Sequence, residues 1–246
     1  MGIKNIPNIK PNDDLGQIIL DFAEKQGTPV KNADIIVIAQ KIVSKAEGAI
    51  ISLDKVNPSI LAKIISKRIG KRSELIEIIL RESKSIIRIR DGHIITETKH
   101  GWICANSGID LSNVSGGDSI TLLPKSADTS AYNIRKKIED LTGKKVVVIV
   151  SDTFGRPFRK GHIDVAIGIS GMSPLFDRRG EKDLYGYVLK IKRTAIADEL
   201  ASAAELVIGN GNEGMPVAII RGYNFKRNVR SKATDLILPK ERNLFI

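Results

Sequence analysis

Two short runs of β-branched residues set the strongest limit on how this chain can fold. DIIVIA begins at Asp34, and VVVIV occupies residues 146–150. Each run has the length and apolar character of a buried strand. Segments with helical periodicity precede or follow both runs, so the chain alternates between helix and strand. This alternation predicts a mixed fold in which helices and strands share a core, in the α+β class.

The predicted helices share an apolar stripe and a capping or terminating residue. They are a helix capped by Asn12 or Asp13 and ending at Gly27, a helix opened by Asn57-Pro58 with an apolar face of Ile60, Leu61, Ile64 and Ile65, a helix capped by Ser73, a helix from Asp128 to Gly143, and ADELASAAELVI ending at Gly209. SIIRIR and HIITETK flank Asp91-Gly92, the signal for a tight β-hairpin. PVAIIRG predicts a further strand near the C-terminus.

The length of 246 residues suits one large domain or two small regions sharing a core. We therefore expect a single unit over residues 1–246, with a sub-division near residues 84–115. The chain has no apolar run of about 18 residues, so we expect no membrane association. Its first residues lack the apolar core of a secretory signal. The single cysteine, Cys104, excludes an internal disulfide, suits a cytoplasmic location and is interpreted as core filler.

The excess of 39 basic over 28 acidic residues gives a net charge of +11, which favours anionic partners. Nucleic acids, nucleotides and acidic metabolites all fit this charge. Only 4% of the residues are aromatic, which is few for a surface that stacks bases. The basic residues are interleaved with acidic ones along the chain, as on an ordinary solvated surface.

Two segments offer oxygen ligands for a metal ion. In NSGIDLSN, Asp110, Ser112 and Asn113 follow a glycine that permits a sharp turn, and hard cations such as magnesium or manganese prefer such ligands. The same residues are ordinary turn formers. In VVVIVSDTFGRPFRKGH, Asp152 and Thr153 come directly after a buried strand, at the edge where α/β proteins bind ligands. Asp110 and Asp152 together form a metal site if the fold brings them close.

Basic and glycine-rich segments offer contacts for phosphate. Arg156, Arg159 and Lys160 follow Asp152 and can face phosphate or carboxylate groups, or form a charged surface loop. Gln40, Lys41 and Lys45 follow the first strand and can contact a polyphosphate, or lie on the surface. GNGNEG, residues 209–214, matches a dinucleotide fingerprint by letter, but a helix precedes it and a strand follows, so that interpretation fails. Its glycines still permit an anion-binding turn, or a simple helix end.

The order of these motifs is more specific than any one of them. IVSKAEG, NSGID-x-SNV, SDT-x-GRPFR-x-G, AIGISG, KDLYG and the glycine-rich turn before PVAIIRG resemble the coenzyme F420 gamma-glutamyl ligase family in its stand-alone form. The resemblance covers most of the chain. It implies a mixed two-region α+β fold that forms an intertwined homodimer. It also implies GTP-dependent addition of L-glutamate to coenzyme F420-0, and then of a second glutamate by gamma linkage.

The resemblance also implies roles for individual residues, with Asp110 and Asp152 as the catalytic acids. The divalent metal ligands, for two magnesium or manganese ions, are Asp110, Asp152, Thr153 and Asn210. The GTP contacts are Ile6, Pro7, Asn8, Ile9, Gln40, Lys41, Lys45, Asn113, Ile208, Gly209, Asn210, Gly211, Asn212, Glu213, Gly214 and Met215. A potassium ion is a further candidate. The family usually has Glu or Gln where this chain has Asn210, and we hypothesise that Glu213 compensates for the shorter side chain.

Other functions remain open at this point. The same site suits a nucleotide-dependent amide ligase that acts on another carboxylate acceptor. A basic nucleic-acid-binding protein is favoured by the net charge, and a non-catalytic nucleotide-binding regulator would bind GTP without turning it over. The resemblance favours small-molecule substrates and no nucleic-acid partner.

Overall fold

The computed structural model describes residues 1–111 and 118–243 of the chain. The α-helices are α1 (Leu15–Lys25), α2 (Gln40–Ala46), α3 (Ile60–Ile69), α4 (Ser73–Glu82), α5 (Ala127–Thr142) and α6 (Ile196–Ile208). The strands are β1 (Ile35–Ala39), β2 (Ile50–Ser52), β3 (Ser83–Arg90), β4 (His93–Thr98), β5 (Ile103–Ala105), β6 (Ser119–Thr121), β7 (Val147–Gly155), β8 (His162–Met172), β9 (Phe176–Asp177), β10 (Arg193–Thr194), β11 (Val217–Ile220) and β12 (Arg227–Asn228). None of the helices in these two ranges is both long and apolar enough to cross a membrane.

The central sheet has the strand order β11-β1-β7-β8-β12. Its parallel pair consists of β1 and β7, the two β-branched runs of the sequence, and the other neighbouring strands pair antiparallel. Ala39 at the end of β1 pairs with Ser151 in β7. Because parallel strands point the same way, the residues after Ala39 and after Ser151 lie at one edge of the sheet.

Helices cover both faces of this sheet. Ile36 and Ile38 of β1 point to one face, where they join a core with residues of α1 and α5, and Ile35 and Val37 point to the other, where they pack with residues of α6. The first four residues of β1 and the first five of β7 are buried. This explains why the two runs are continuously apolar instead of alternating with polar residues.

A second region packs around its own apolar cluster. Its buried residues range from Leu53 to Ile120 and include α3, α4 and β4. The sheet β3-β4-β5 belongs to it, together with the separate pair β2-β6. The predicted hairpin is confirmed: β3 and β4 pair across Asp91-Gly92, and both turn residues have positive φ, as a type I′ turn requires. The sub-division near residues 84–115 stays a prediction.

The mixed α and β class is confirmed, but several local predictions were wrong. The helix caps are Asp14 and Ser59 instead of Asn12, Asp13 or Asn57, and Ser73 is the first residue of α4, not its cap. In α3 the predicted apolar face is largely exposed: Ile65 is buried, whereas Ile60, Leu61 and Ile64 are 78%, 54% and 61% exposed. Periodicity identified this helix correctly, but it could not show which side of the helix has a neighbour.

Candidate active site

A cavity of about 670 Å³ opens at the edge of the central sheet where β1 ends beside Ser151 of β7. Six separate parts of the chain contribute to its wall. The lining residues are 6–9 before α1, Ala39, Gln40, Lys41, Ile42 and Lys45 at the start of α2, Asp110, Ser151, Asp152, Thr153 and Asp164 from β7 and β8, and 208–216 after α6. The fold therefore brings together the predicted residues Asp110 and Asp152, which are far apart in sequence.

Asp110 is fixed by backbone pairing and faces a lysine. Its N–H donates to Thr121 O, and its carbonyl accepts from Thr121 N, at 3.1 and 2.9 Å. One carboxylate oxygen of Asp110, Oδ2, lies 2.6 Å from Lys41 Nζ, which projects from the first turn of α2. A predicted metal ligand and a predicted phosphate contact are thus an ion pair.

Asp152 lies within β7, because that strand continues through Ser151, Asp152 and Thr153 to Gly155 instead of ending at residue 150. Burial raises the pKa of Asp152 to about 7. The negative charges of Asp164 and Asp110 act in the same direction, while the N–H of Thr153 and the charge of Lys41 oppose them. This concentration of negative charge at the cavity wall favours a bound cation.

The chemistry of the predicted ligands fits a divalent ion of the magnesium type. The donors are two carboxylates, the Thr153 hydroxyl and the Asn210 amide oxygen, all hard oxygen atoms. No group of three or more His, Cys, Asp or Glu side chains suited to a metal occurs in residues 1–111 and 118–243. Magnesium commonly uses only one or two carboxylates and completes its shell with water and phosphate oxygens. The site therefore suits an ion that arrives with a phosphorylated ligand.

Two lysines one helical turn apart, Lys41 and Lys45, also line the cavity. Lys45 Nζ donates to Asn8 Oδ1 at 3.2 Å and so connects α2 to the segment at residues 6–9. Burial lowers the pKa of Lys45, and the nearby charge of Lys41 lowers it further. A polyanion placed here would relieve this repulsion between the two ammonium groups.

Gln40 is buried and helps to hold α2 in place. Its amide nitrogen donates to Ser44 Oγ at 2.6 Å and to Leu122 O at 2.9 Å. These bonds join the first turn of α2 to the residue after β6, next to the backbone that pairs with Asp110. Gln40 therefore lines the cavity with its amide nitrogen already engaged.

The glycine-rich turn after α6 closes the cavity on one side. Gly209 has φ of +70°, and a Cβ there would lie 2.2 Å from the carboxyl carbon of Glu213. The Glu213 carboxylate accepts a hydrogen bond from Gly211 N at 2.8 Å. Gly209 also has ψ of 169°, and this combination of φ and ψ is open essentially to glycine alone, so the backbone of the turn requires glycine at position 209.

Comparison with known proteins assigns the family. Residues 2–222 match the family model described as F420-0:Gamma-glutamyl ligase. The coenzyme F420:L-glutamate ligase of Methanocaldococcus jannaschii is 52% identical over 217 residues, which cover 88% of this chain and 86% of that protein. The protein of the same name from Methanothermobacter thermautotrophicus is 47% identical over 247 residues, covering 100% of this chain and 97% of that one. That from Archaeoglobus fulgidus is 40% identical over 222 residues, covering 90% and 86%.

The chain belongs to the F420-0:gamma-glutamyl ligase family. The resemblance inferred from the motifs is confirmed, and the chain is a ligase that forms an amide bond. Within this ligase, the cavity described above collects every predicted site residue that the structure describes, except three.

Those three, Arg156, Arg159 and Lys160, do not line the cavity of the ligase. They lie in the loop between β7 and β8, where Arg156 Nη2 donates to Lys160 O at 2.7 Å. Sequence order suggested a position beside Asp152, but β7 carries the loop away from the sheet edge. The Nε of Arg156 is buried and has no hydrogen-bond partner within residues 1–111 and 118–243. Asn113, another predicted contact, lies outside the described residues.

Sequence reasoning missed two carboxylates of the ligase. Asp164 on β8 lines the cavity. Glu205 on α6 accepts a hydrogen bond from the backbone N of Asp164. Burial raises the pKa of Asp164, and the hydroxyls of Thr153 and Ser151 counter that effect. A usable signal was present in IDVAIG, because an acid inside an apolar strand has to find buried partners. In the register of the sheet, Asp164 stands opposite Thr153.

Proposed function

We propose that this ligase couples L-glutamate to coenzyme F420-0 at the expense of GTP, and then adds a second glutamate by gamma linkage. Its relatives are named for ligation of glutamate to coenzyme F420. The observation that carries the proposal is the meeting of Asp110, Asp152, Lys41 and Lys45 in one cavity beside a glycine-rich turn. These two acids and two lysines suit a nucleoside triphosphate and its metal ion.

The reaction balances in two steps. An oxygen of the acceptor carboxylate attacks the terminal phosphorus of GTP, the bond to GDP breaks, and an acyl phosphate forms. The amine nitrogen of glutamate then attacks the acyl carbon, inorganic phosphate leaves, and the amine gives up a proton. Neither step needs a nucleophile from the protein. Burial raises the pKa of Cys104 to about 12, so this thiol stays protonated.

The residues of the chain position the reactants and balance charge. Lys41 and Lys45 contact phosphate oxygens, and their charges offset the negative charge that develops during transfer. Asp110, Asp152, Thr153 and Asn210 hold magnesium or manganese, in one or two ions, which when bound draws electron density from the phosphoryl oxygens. Positioning of this kind can supply up to roughly 7–11 kcal/mol of a barrier. We also propose that a potassium ion takes part and that the protein is cytoplasmic.

We also propose a homodimer. The segment from β9 to β10 carries large apolar side chains in water, with Leu184 99%, Tyr185 96% and Ile191 89% exposed. Exposed apolar patches of this kind commonly mark protein contacts. A double substitution, Leu184→Ser with Ile191→Ser, should halve the mass seen by light scattering. An unchanged mass contradicts this part of the proposal.

The decisive experiment follows product mass after incubation with coenzyme F420-0, L-glutamate, GTP and manganese. We expect a mass increase of one and then two glutamate residues, which requires GTP and is lost in Asp152→Asn. The control Asp140→Asn changes an exposed acid that pairs with Lys136 and should retain activity. No increase with GTP or ATP contradicts the proposed acceptor, and an increase with ATP alone contradicts the proposed nucleotide.

A further inference from the structure

Asp164 is a buried carboxylate whose two oxygens each accept from a hydroxyl. Its side chain lies on β8 opposite β7, and the residue is 3% exposed. Oδ1 accepts from Thr153 Oγ1 at 2.7 Å, and Oδ2 accepts from Ser151 Oγ at 2.9 Å. These bonds fix the direction of the Thr153 hydroxyl, since a bond to a carboxylate is stronger than one to a neutral acceptor.

Glu205 connects the same strand to the glycine-rich turn. Its Oε2 accepts from the backbone N of Asp164 at 3.0 Å, and its Oε1 accepts from the amide nitrogen of Asn210. Ser202, one helical turn earlier on α6, donates to Asp164 O at 2.8 Å. The helix α6 therefore holds both the strand that carries Asp164 and the first polar side chain of the turn.

These contacts decide which way the Asn210 amide points. A carboxylate accepts hydrogen bonds, so Glu205 selects the nitrogen of the amide and leaves the oxygen on the other side. That oxygen, Oδ1, lies 3.1 Å from Thr153 Oγ1. The Thr153 hydroxyl has one proton, and the shorter contact with the Asp164 carboxylate takes it. Two oxygens with free lone pairs then lie side by side, an arrangement that a cation between or beside them stabilises.

We propose that Asp164 and Glu205 are positioning residues for the divalent metal ion. Asp164 orients the Thr153 hydroxyl, and Glu205 orients the Asn210 amide, so that both present oxygen lone pairs to the ion. Glu205 thereby holds the Asn210 amide in one orientation, although this side chain is shorter than the Glu or Gln that the family usually has at this position. The inference rests on the metal site of the proposed function, but not on the identity of the acceptor.

The test measures manganese affinity by calorimetry, with and without GTP, in the purified full-length protein. Glu205→Gln keeps the shape of the side chain but can donate to Asn210, which allows the amide to turn over. Loss of such an outer partner weakens metal binding about 10- to 100-fold. Asp164→Asn should weaken it to a similar degree. The control Glu199→Gln makes the same charge change at an exposed position of α6 and should bind manganese like the unmodified protein.

A rescue variant separates positioning from a general structural role. Asn210→Asp combined with Glu205→Gln supplies a carboxylate that needs no orientation and accepts from the new amide, so manganese affinity should return to within about threefold of the unmodified value. In the single variant Glu205→Gln, activity should show a raised manganese requirement with kcat largely retained at saturating manganese. Unchanged manganese affinity in Glu205→Gln, or no recovery in the double variant, overturns the inference.

The outcomes also separate this inference from the proposed function. If the unmodified protein binds manganese but transfers no glutamate, the proposed acceptor fails while the affinity series still tests Glu205 and Asp164. If Glu205→Gln does not fold, as judged by its unfolding temperature, the comparison of Asn210→Asp with and without Glu205→Gln decides the point. In that comparison the two variants should bind manganese within about threefold of each other, because a carboxylate at position 210 needs no orientation, and a loss of about tenfold or more in the double variant overturns the orienting role of Glu205.

Discussion

Lys41 Nζ and Asp110 Oδ2 lie 2.6 Å apart in the wall of the cavity, so the ammonium group neutralises a predicted metal ligand. Lys41 comes from the start of α2, and Asp110 from the segment that pairs with β6. A divalent ion that binds Asp110 must compete with this ammonium group. Lys41 can then turn to the phosphates that accompany the ion, so the two ligands of the site should bind cooperatively.

The first prediction concerns that competition. Lys41→Met should strengthen manganese binding in the absence of nucleotide by about three- to tenfold. The metal ion then no longer has to break the ion pair between Lys41 and Asp110, which is worth about 1 kcal/mol. The same variant should weaken GTP binding, since a cation is lost. Lys45→Met is the matched control, because Lys45 contacts Asn8 instead of Asp110. It should weaken GTP binding and leave metal affinity within about twofold at ordinary salt. Equal metal affinity in Lys41→Met and the unmodified protein contradicts the competition.

The second prediction concerns Glu213. We hypothesised from the sequence that it compensates for Asn210 as a metal ligand. Its carboxylate is instead bonded to Gly211 N within its own turn. Glu213→Gln keeps an acceptor for that N–H, so the manganese concentration for half-maximal activity should change by about twofold or less. A sharp rise in the metal requirement would restore the original hypothesis.

The third prediction concerns the contact between β8 and α5. A Cβ on Gly168 would lie 2.4 Å from the carbonyl carbon and oxygen of Ala127. Gly168→Ala should therefore reduce the free energy of unfolding by about 1–3 kcal/mol or more, because the helix must move away from the sheet. Gly155→Ala is the control, with its nearest atom 4.0 Å away. Urea unfolding should show a change within about 0.5 kcal/mol for this control. Equal stabilities of the two variants contradict the close approach.

The fourth prediction concerns a buried ion pair that is distant from the cavity. Glu139 Oε2 accepts from Arg135 Nη1 at 2.8 Å, and Oε1 accepts from Arg227 Nη2 at 2.7 Å. Burial opposes ionisation of Glu139, but the bonds from the two arginines outweigh it and hold its pKa below the ordinary value. Glu139→Gln leaves Arg135 buried without its countercharge, which should cost about 3–5 kcal/mol at pH 7.

The sign of the pH dependence follows from the lowered pKa of Glu139. Its carboxylate stabilises the fold above the unfolded pKa of the side chain, and this contribution is lost as pH falls through the lower folded pKa. The difference in unfolding free energy between Glu139→Gln and the unmodified protein should therefore shrink in acid. Denaturant unfolding at pH 7 and in steps toward pH 3 measures it. A difference that stays constant over this range contradicts the assignment.

The sequence predicted most elements well where local signals agree with packing. The two β-branched runs are strands, Asp91-Gly92 turns a hairpin, and the helix before Gly143 ends there with Gly143 in the left-handed conformation. The exposed Ile60, Leu61 and Ile64 of α3 show the limit of this approach. Helical periodicity reports that one side is apolar, but burial depends on a neighbour that the periodicity does not identify.

For the active site, too, some features follow from the sequence and others only from the tertiary structure. The sequence alone determined the chemical types present: acids after apolar segments, lysines at a helix start and glycines in a turn. Only the tertiary structure decided which of them meet. Parallel pairing of β1 with β7 brings Lys41 and Asp152 to one edge, and antiparallel pairing of β7 with β8 sets Asp164 against Thr153. Glu205 reaches the backbone N of Asp164 because α6 packs on β8. Contacts between residues distant in sequence are set by strand register and helix packing, and these depend on the whole core rather than on any local motif.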